Sequence, residues 1–317
     1  MSTSLNLRAL SVVGEFEENH VDWRIAYADL PEGGRVIDCG VQQTGSVAAG
    51  LALARVCLAD RADVRWVPGL LEGRAWPHIQ VTTDAPRTAC LFSQYAGWQI
   101  SVGKYFAMGS GPMRALAARE RLFVETGFRD ASDSAVGVLE AGKLPGPEVF
   151  AYLAERTGVP ARNTTLLVAR TASLCGSIQV VARVVETGLH KLHELGFDTA
   201  TIDSASGTAP FAPVAKDDLG GIGRTNDSIL YGGSIHLWGR FDDEVVAAIG
   251  PKVPAGASSM YGQPFLTVFE EAGRDFYKID PHLFSPAEVT FHNLATGTVR
   301  RFGGSDHAIL KRSFGLE

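Results

Sequence analysis

The sequence predicts a mixed α/β (α+β) protein, and three observations carry that expectation. Strand-like and helix-like segments alternate from one end to the other, the pattern of packed sheet and helix layers. Hydrophobic residues make up 45% and charged residues 20% of the 317, enough apolar material for a sizeable core and too much for disorder. Glycine is frequent, at 35 residues, which supplies many turns. The length suits two lobes at about 100–200 residues each. A change of texture after Gly196 sets the expected division at 1–195 and 196–317, with either lobe free to be discontinuous.

Taken in order, residues 4–18 are amphipathic and predict a helix. Residues 22–28 and 35–39 read as strands, the second ending at Gly40. SVAAGLALARVCLA, 46–59, is a helix with a polar start. Residues 64–67 and 78–83 are extended, the latter alternating with period two. The run 98–108 is also extended and feeds a Gly109-Ser110-Gly111-Pro112 turn into a helix over 113–121. Residues 147–157 form a short helix closed by Gly158. The buried-looking strand 165–169 precedes the longest helix, 177–195, ended by Gly196. Residues 203–227 have the glycine, proline and small polar composition of a loop. A strand over 229–238, a helix over 242–249 and a hairpin over 287–302 around Thr296-Gly297 complete the chain.

Charge narrows the function. Lys and Arg total 29 against 35 Asp and Glu, a net charge of −6, which argues against a nucleic-acid partner. The charged fraction lies below the usual ~25%, consistent with surface covered by a partner subunit. The opening residues carry no signal-peptide pattern and no window approaches the ~18 apolar residues of a membrane span. A cytoplasmic protein with no membrane partner is expected. Cys39, Cys57, Cys90 and Cys175 stand singly, with no CxxC pair, and are expected to be reduced core thiols.

The 177–195 helix carries the most informative residues. At 100° per residue, Val181, Val184, Val185, Leu189, Leu192 and Leu195 share one arc, while Gln179, Arg183, Glu186, Thr187 and His190 gather opposite. Two readings stay open. One is a solvated stripe with an i, i+3 ion pair worth a few tenths of a kcal/mol. The other is a catalytic carboxylate whose protonation is governed by the adjacent guanidinium. Glu186, His190 and His193 also have helical ligand spacing, but His193 points off the stripe and no HExxH pattern occurs, so no metal is expected. The Gly-Ser-Gly-Pro turn is either a tight connection or an anion cradle of backbone N–H groups, with Lys104 and Arg114 adding charge.

Longer motifs identify a relative. Residues 105–116 read YFAMGSGPMRAL, 171–195 read TASLCGSIQVVARVVETGLHKLHEL, 223–233 read GRTNDSILYGG and 275–289 read DFYKIDPHLFSPAEV. With the Asp38-Cys39-Gly40 strand end, they resemble the methenyltetrahydromethanopterin cyclohydrolase family from near residue 5 to near residue 315. Four positions depart from the family's usual residues: Arg170 replaces a proline, Met113 and Cys175 replace alanines, and Ser285 replaces an alanine.

The resemblance implies a two-lobed α/β subunit of family-specific fold, a homotrimer, and a pocket between the lobes. The implied reaction is reversible hydrolysis of the N5,N10-methenyl bridge of tetrahydromethanopterin, or a dephospho analogue, to the N5-formyl form. That step belongs to one-carbon metabolism, in methanogenesis or formaldehyde oxidation, and needs no cofactor. Glu186 is the implied base and then acid, with Arg183 keeping it ionised and oriented. Implied substrate-binding residues are Gln179, Thr187, His190, Lys104, Tyr105, Ser110, Gly111, Arg114, Arg224, Asn226, Asp227 and Tyr231. Asn226 and Asp227 suit the amide-and-amine edge of a pterin, or else an Asx-turn loop. Rival readings are a catalytically silent tetrahydropterin carrier or regulator, and a metal-dependent amidohydrolase using Glu186 and His190.

Overall fold

The computed structural model describes residues 4–31 and 33–316. They form two compact units, Met1–Arg61 with Thr88–Gln179, and Ala62–Arg87 with Val180–Glu317. Each unit is built from two separate stretches of the chain. β4 (Arg74–Thr83) hydrogen-bonds to β9 (Ile202–Pro210), and this pairing draws the β3 (Asp63–Leu71)–β4 hairpin into the second unit.

The first unit contains a six-stranded sheet in the order β1-β2-β8-β7-β6-β5. Its strands are β1 (Ala26–Asp29), β2 (Arg35–Gly40), β5 (Trp98–Val102), β6 (Tyr105–Ser110), β7 (Ala135–Glu140) and β8 (Thr164–Ala169). β2, β8 and β7 run parallel, and helices cover both faces. On one side α1 (Leu5–Glu18) and α2 (Val47–Cys57) pack Val12, Phe16, Leu53 and Val56 against Ile37, Val136 and Leu167. On the other, Val149, Phe150 and Leu153 of α5 (Pro147–Thr157) meet Val36, Leu139, Leu166 and Val168. Local chemistry sets these helix ends. Ser4 and Ser46 side chains accept backbone N–H groups at the starts of α1 and α2, and α5 ends at Gly158 with φ +76°.

The second unit holds a sheet in the order β12-β11-β10-β9-β4-β3, with β10 (Ser234–Gly239), β11 (Glu288–Asn293) and β12 (Val299–Gly303). Pairing is antiparallel except between β10 and β11. One face carries α7 (Val184–Glu194) and α8 (Asp218–Gly232). A Cβ at Gly207 of β9 would stand 2.8 Å from Val185 and 2.9 Å from Ile235, so only glycine lets α7 seat so closely. α9 (Asp243–Ile249), α10 (Phe265–Glu271) and α11 (His307–Phe314) complete this unit. No helix among the described residues is long and apolar enough to cross a membrane.

Several elements differ from expectation. The 177–195 helix is two helices, α6 (Leu174–Val181) and α7. Arg183 lies at ψ 1° and its N–H reaches back to Val180, so a tight i→i−3 turn replaces the helical ladder between two pairs of β-branched valines. The 203–227 segment is a loop only over residues 211–217; the rest is β9 and most of α8, which is capped by the Asp217 side chain on Gly220 N–H. Its glycines serve packing: a Cβ at Gly223 would meet Leu266 at 2.9 Å, and one at Gly232 would meet Pro210 at 2.8 Å. The strand expected from 229 therefore begins at Ser234. The run 98–108 folds back at Gly103, φ +57°, into the β5–β6 hairpin. The helix expected over 113–121 splits at Ala118, φ 47°, into α3 (Met113–Ala117) and α4 (Arg121–Thr126).

Candidate active site

Arg183 and Glu186 meet where α7 begins. Arg183 is the N-cap residue and Glu186 lies in the first turn, where the helix dipole favours negative charge. Arg183 Nη1 stands 3.8 Å from Glu186 Oε2, with the side chains only 10% and 4% exposed. This is an ion-pair separation, too long for a direct hydrogen bond between those atoms. Burial removes the reading of a solvated stripe. A charged pair sheltered from water interacts strongly, and desolvating it is costly, so the pair is a candidate for chemistry.

The remainder of α7 is divided. Thr187 donates its hydroxyl to the Val184 carbonyl at 3.1 Å. His190 Nε2 lies 3.9 Å from Glu194 Oε1, one turn on. Gly188 lacks the Cβ that would run into Ile235 of β10, which lets the helix press onto the sheet. Lys191 is buried and donates its ammonium to the His282 carbonyl, and burial pushes its pKa down to about 8. Gln179, near the end of α6, is buried with its Oε1 3.9 Å from Cys57 Sγ. Among the described residues, no three His, Cys, Asp or Glu side chains gather as a metal site.

The Gly-Ser-Gly-Pro motif is tied to the segment before it. Ser110 Oγ donates to the Gln94 carbonyl at 2.5 Å and Gly111 N–H to Ser93 at 3.0 Å. Arg114 is fully buried, paired with Glu120, and donates to the carbonyls of Leu91 and Ser93. These groups clamp the end of an eight-residue π-helix, Arg87–Gln94, a rare conformation that needs such support. Pro112 sits at the N-cap rather than inside α3, and a five-residue helix offers little dipole. Lys104 is exposed at the hairpin tip, and Tyr105 is buried, its hydroxyl without a hydrogen-bond partner among the described residues. Burial raises the Tyr105 phenol well above its ordinary range.

On α8 the polar residues also face inward. Arg224 donates to the carbonyls of Ser313, Val214 and Pro213, and Asn226 to Ile222 at 2.8 Å. Asp227 accepts the Phe265 N–H at 2.8 Å, and burial lifts its pKa to about 7. Tyr231 donates its hydroxyl to Gln263 at 2.6 Å. The motif reads as a loop in sequence, but in space it is a helix whose side chains fasten the neighbouring segments.

Residues that the sequence did not single out for the site gather at the carboxyl ends of β2, β8 and β7, the edge where open parallel sheets bind ligands. Asp38 accepts four backbone N–H groups, from Gly40, Val41, Gln42 and Gln43, at 2.7–3.2 Å. Its carboxylate therefore sets the loop after β2. Thr171 donates to Glu140 across the ends of β8 and β7. An aspartate just before glycine at a strand end was the available signal for Asp38; nothing local pairs Glu140 with Thr171.

Comparison with known proteins gives a concordant result over the whole chain. The model of the cyclohydrolase (MCH) family matches residues 4–314. A methenyltetrahydromethanopterin cyclohydrolase of Rhodopirellula baltica is 46% identical over 289 residues, covering 90% of this chain and 87% of its own. That of Methanosarcina barkeri is 43% identical over 316 residues, covering 99% and 98%. That of Methanothermobacter thermautotrophicus is 44% identical over 318 residues, covering 99% of each. Matched from end to end at such identity, this chain belongs to the methenyltetrahydromethanopterin cyclohydrolase family.

Proposed function

We propose that this chain is a hydrolase that reversibly opens the N5,N10-methenyl bridge of a tetrahydromethanopterin-type carrier to give the N5-formyl form. The observation that carries the reading is the sheltered Arg183–Glu186 pair at the start of α7, in a chain matched along its length by enzymes of that name.

The chemistry suits one carboxylate. The methenyl carbon lies between two nitrogens and shares their positive charge, so it is already electrophilic. Glu186 takes a proton from water as the C–O bond forms, giving a tetrahedral adduct. It then returns that proton to N10 as the C–N10 bond breaks. The second water proton leaves from the adduct's hydroxyl as the formyl C=O forms, so one proton is released overall. Arg183 holds Glu186 ionised before attack and stabilises charge developing on the oxygen. Substrate contacts assigned to Gln179, Thr187, His190, Lys104, Tyr105, Ser110, Gly111, Arg114, Arg224, Asn226, Asp227 and Tyr231 belong to the same proposal. Of these, Lys104 is exposed, and Thr187, His190, Arg224 and Asn226 are partly buried. A homotrimer in the cytoplasm, serving methanogenesis or formaldehyde oxidation, completes it, and the charged fraction of 20% supports an assembly that covers surface.

The test follows the methenyl chromophore, whose conjugated absorbance disappears on hydrolysis. Methanopterin-type carriers, phosphorylated and dephospho, are expected to be turned over and folate-type carriers not. Absence of turnover with every methanopterin-type carrier would overturn the reading.

A further inference from the structure

The second sheet carries α7 on one face, and its opposite face is only partly buried at Ser206, Ser234, His236, Trp238 and His292. Ile235 and Leu237 of β10, with Val289 and Phe291 of β11, are buried, and Ile235 lies on the side where α7 packs. Strand alternation turns Ser234, His236, Trp238, Thr290 and His292 the other way. The register sets Trp238 beside His292 and His236 beside Thr290, so the two histidines are diagonal neighbours on adjacent strands. They and Trp238 are only partly buried.

The three rings form a triangle, with His236 and Trp238 centroids 5.9 Å apart. His292 and Trp238 have centroids 4.9 Å apart, and His236 and His292 5.2 Å apart. His236 Nδ1 faces His292 Nε2 at 2.9 Å. On the next strand, the small Ser206 lies beside His236. Two imidazole nitrogens from different strands thus approach each other closely. Two metal–nitrogen bonds of about 2.05 Å at a right angle separate their nitrogens by about 2.9 Å, whereas a tetrahedral angle needs about 3.3 Å. The observed spacing suits adjacent corners of a square or octahedral complex. Turning the lone pairs toward a shared point takes only rotation about χ2, which is soft for histidine.

We propose that His236 and His292 form a transition-metal site on the face of the second sheet opposite α7, taking Cu²⁺ or Ni²⁺ in preference to Zn²⁺. The metal takes the place of the hydrogen bond between the rings, whose proton moves to the other nitrogen of the donor ring so that both bind as neutral imidazoles; it ties β10 to β11 and takes its other ligands from water. It involves neither Arg183 nor Glu186, which lie on α7 at the other face.

The experiment titrates the untagged full-length chain with Cu²⁺, Ni²⁺ and Zn²⁺ in turn, reading tryptophan fluorescence and the Cu²⁺ electron paramagnetic resonance spectrum. One equivalent of Cu²⁺ is expected, with a tetragonal, nitrogen-coordinated signal and quenching dominated by Trp238 among five tryptophans. His236→Ala and His292→Ala each weaken that equivalent at least tenfold. His292→Gln, which keeps a polar group against His236, does the same should the alanine variants prove unstable. Trp238→Phe keeps the metal and loses most of the quenching, and His20→Ala and His307→Ala change neither. Binding that survives both His236→Ala and His292→Ala, tighter Zn²⁺ than Cu²⁺ binding, or no binding at millimolar metal would overturn the proposal.

Discussion

Replacing Glu186 by Gln keeps the size of the side chain and removes its ability to accept a proton. At the observed 3.8 Å, two unit charges attract by about 4 kcal/mol at an effective dielectric constant near 20. Part of that attraction is offset by the desolvation of two sheltered charges. Neutralising one partner leaves Arg183 uncompensated, and the expected loss of stability is about 3 kcal/mol. The kinetic effect is separate. Loss of a general base lowers turnover by about 10²–10⁴-fold, or about 3–5 kcal/mol in the barrier. The assay is stopped-flow loss of methenyl absorbance at saturating substrate, with urea unfolding of the same preparation so that rates refer to folded enzyme. A folded Glu186→Gln enzyme turning over within tenfold of the wild type would refute the role of Glu186 as base and acid.

Further outcomes follow from the buried polar groups. Asp38→Asn turns one of the acceptor oxygens that hold residues 40–43 into a donor, and is expected to lower stability by about 2 kcal/mol, measured by urea unfolding. Arg114→Met removes the clamp on Leu91 and Ser93 and strands Glu120; about 3–5 kcal/mol should be lost, with faster amide exchange across residues 87–94. Lys191 has a folded pKa near 8 against about 10.4 when unfolded. Between those values the unfolded chain binds more protons, so the contribution of Lys191 to stability rises with pH across that window. Lys191→Met should flatten that rise in urea midpoints.

How much was legible depended on whether the signal was local. The cap serines of α1 and α2, Pro147 and Gly158 bounding α5, and the 287–302 hairpin all appear where local chemistry puts them. The glycines of 203–227 misled because loop composition and close packing leave the same residue in the sequence. Only the neighbours Val185, Leu266 and Pro210 distinguish a glycine needed for approach from one needed for a turn. The partners of Arg114 and Asp227 were hidden for a similar reason, since type and spacing do not reveal which carbonyl or N–H a buried polar group will satisfy.

By itself the sequence determined the α/β class, most helix and strand positions, the family, and the Arg183–Glu186 spacing that survives even a broken helix. Those properties rest on periodicity, capping and motif identity, all of which act over a few residues. The tertiary structure alone decided the interleaved units, the burial of the ion pair, the π-helix clamp and the two histidines facing each other across β10 and β11. Each of these joins residues distant along the chain, and strand order and packing choose such partners through long-range pairings that no short stretch encodes.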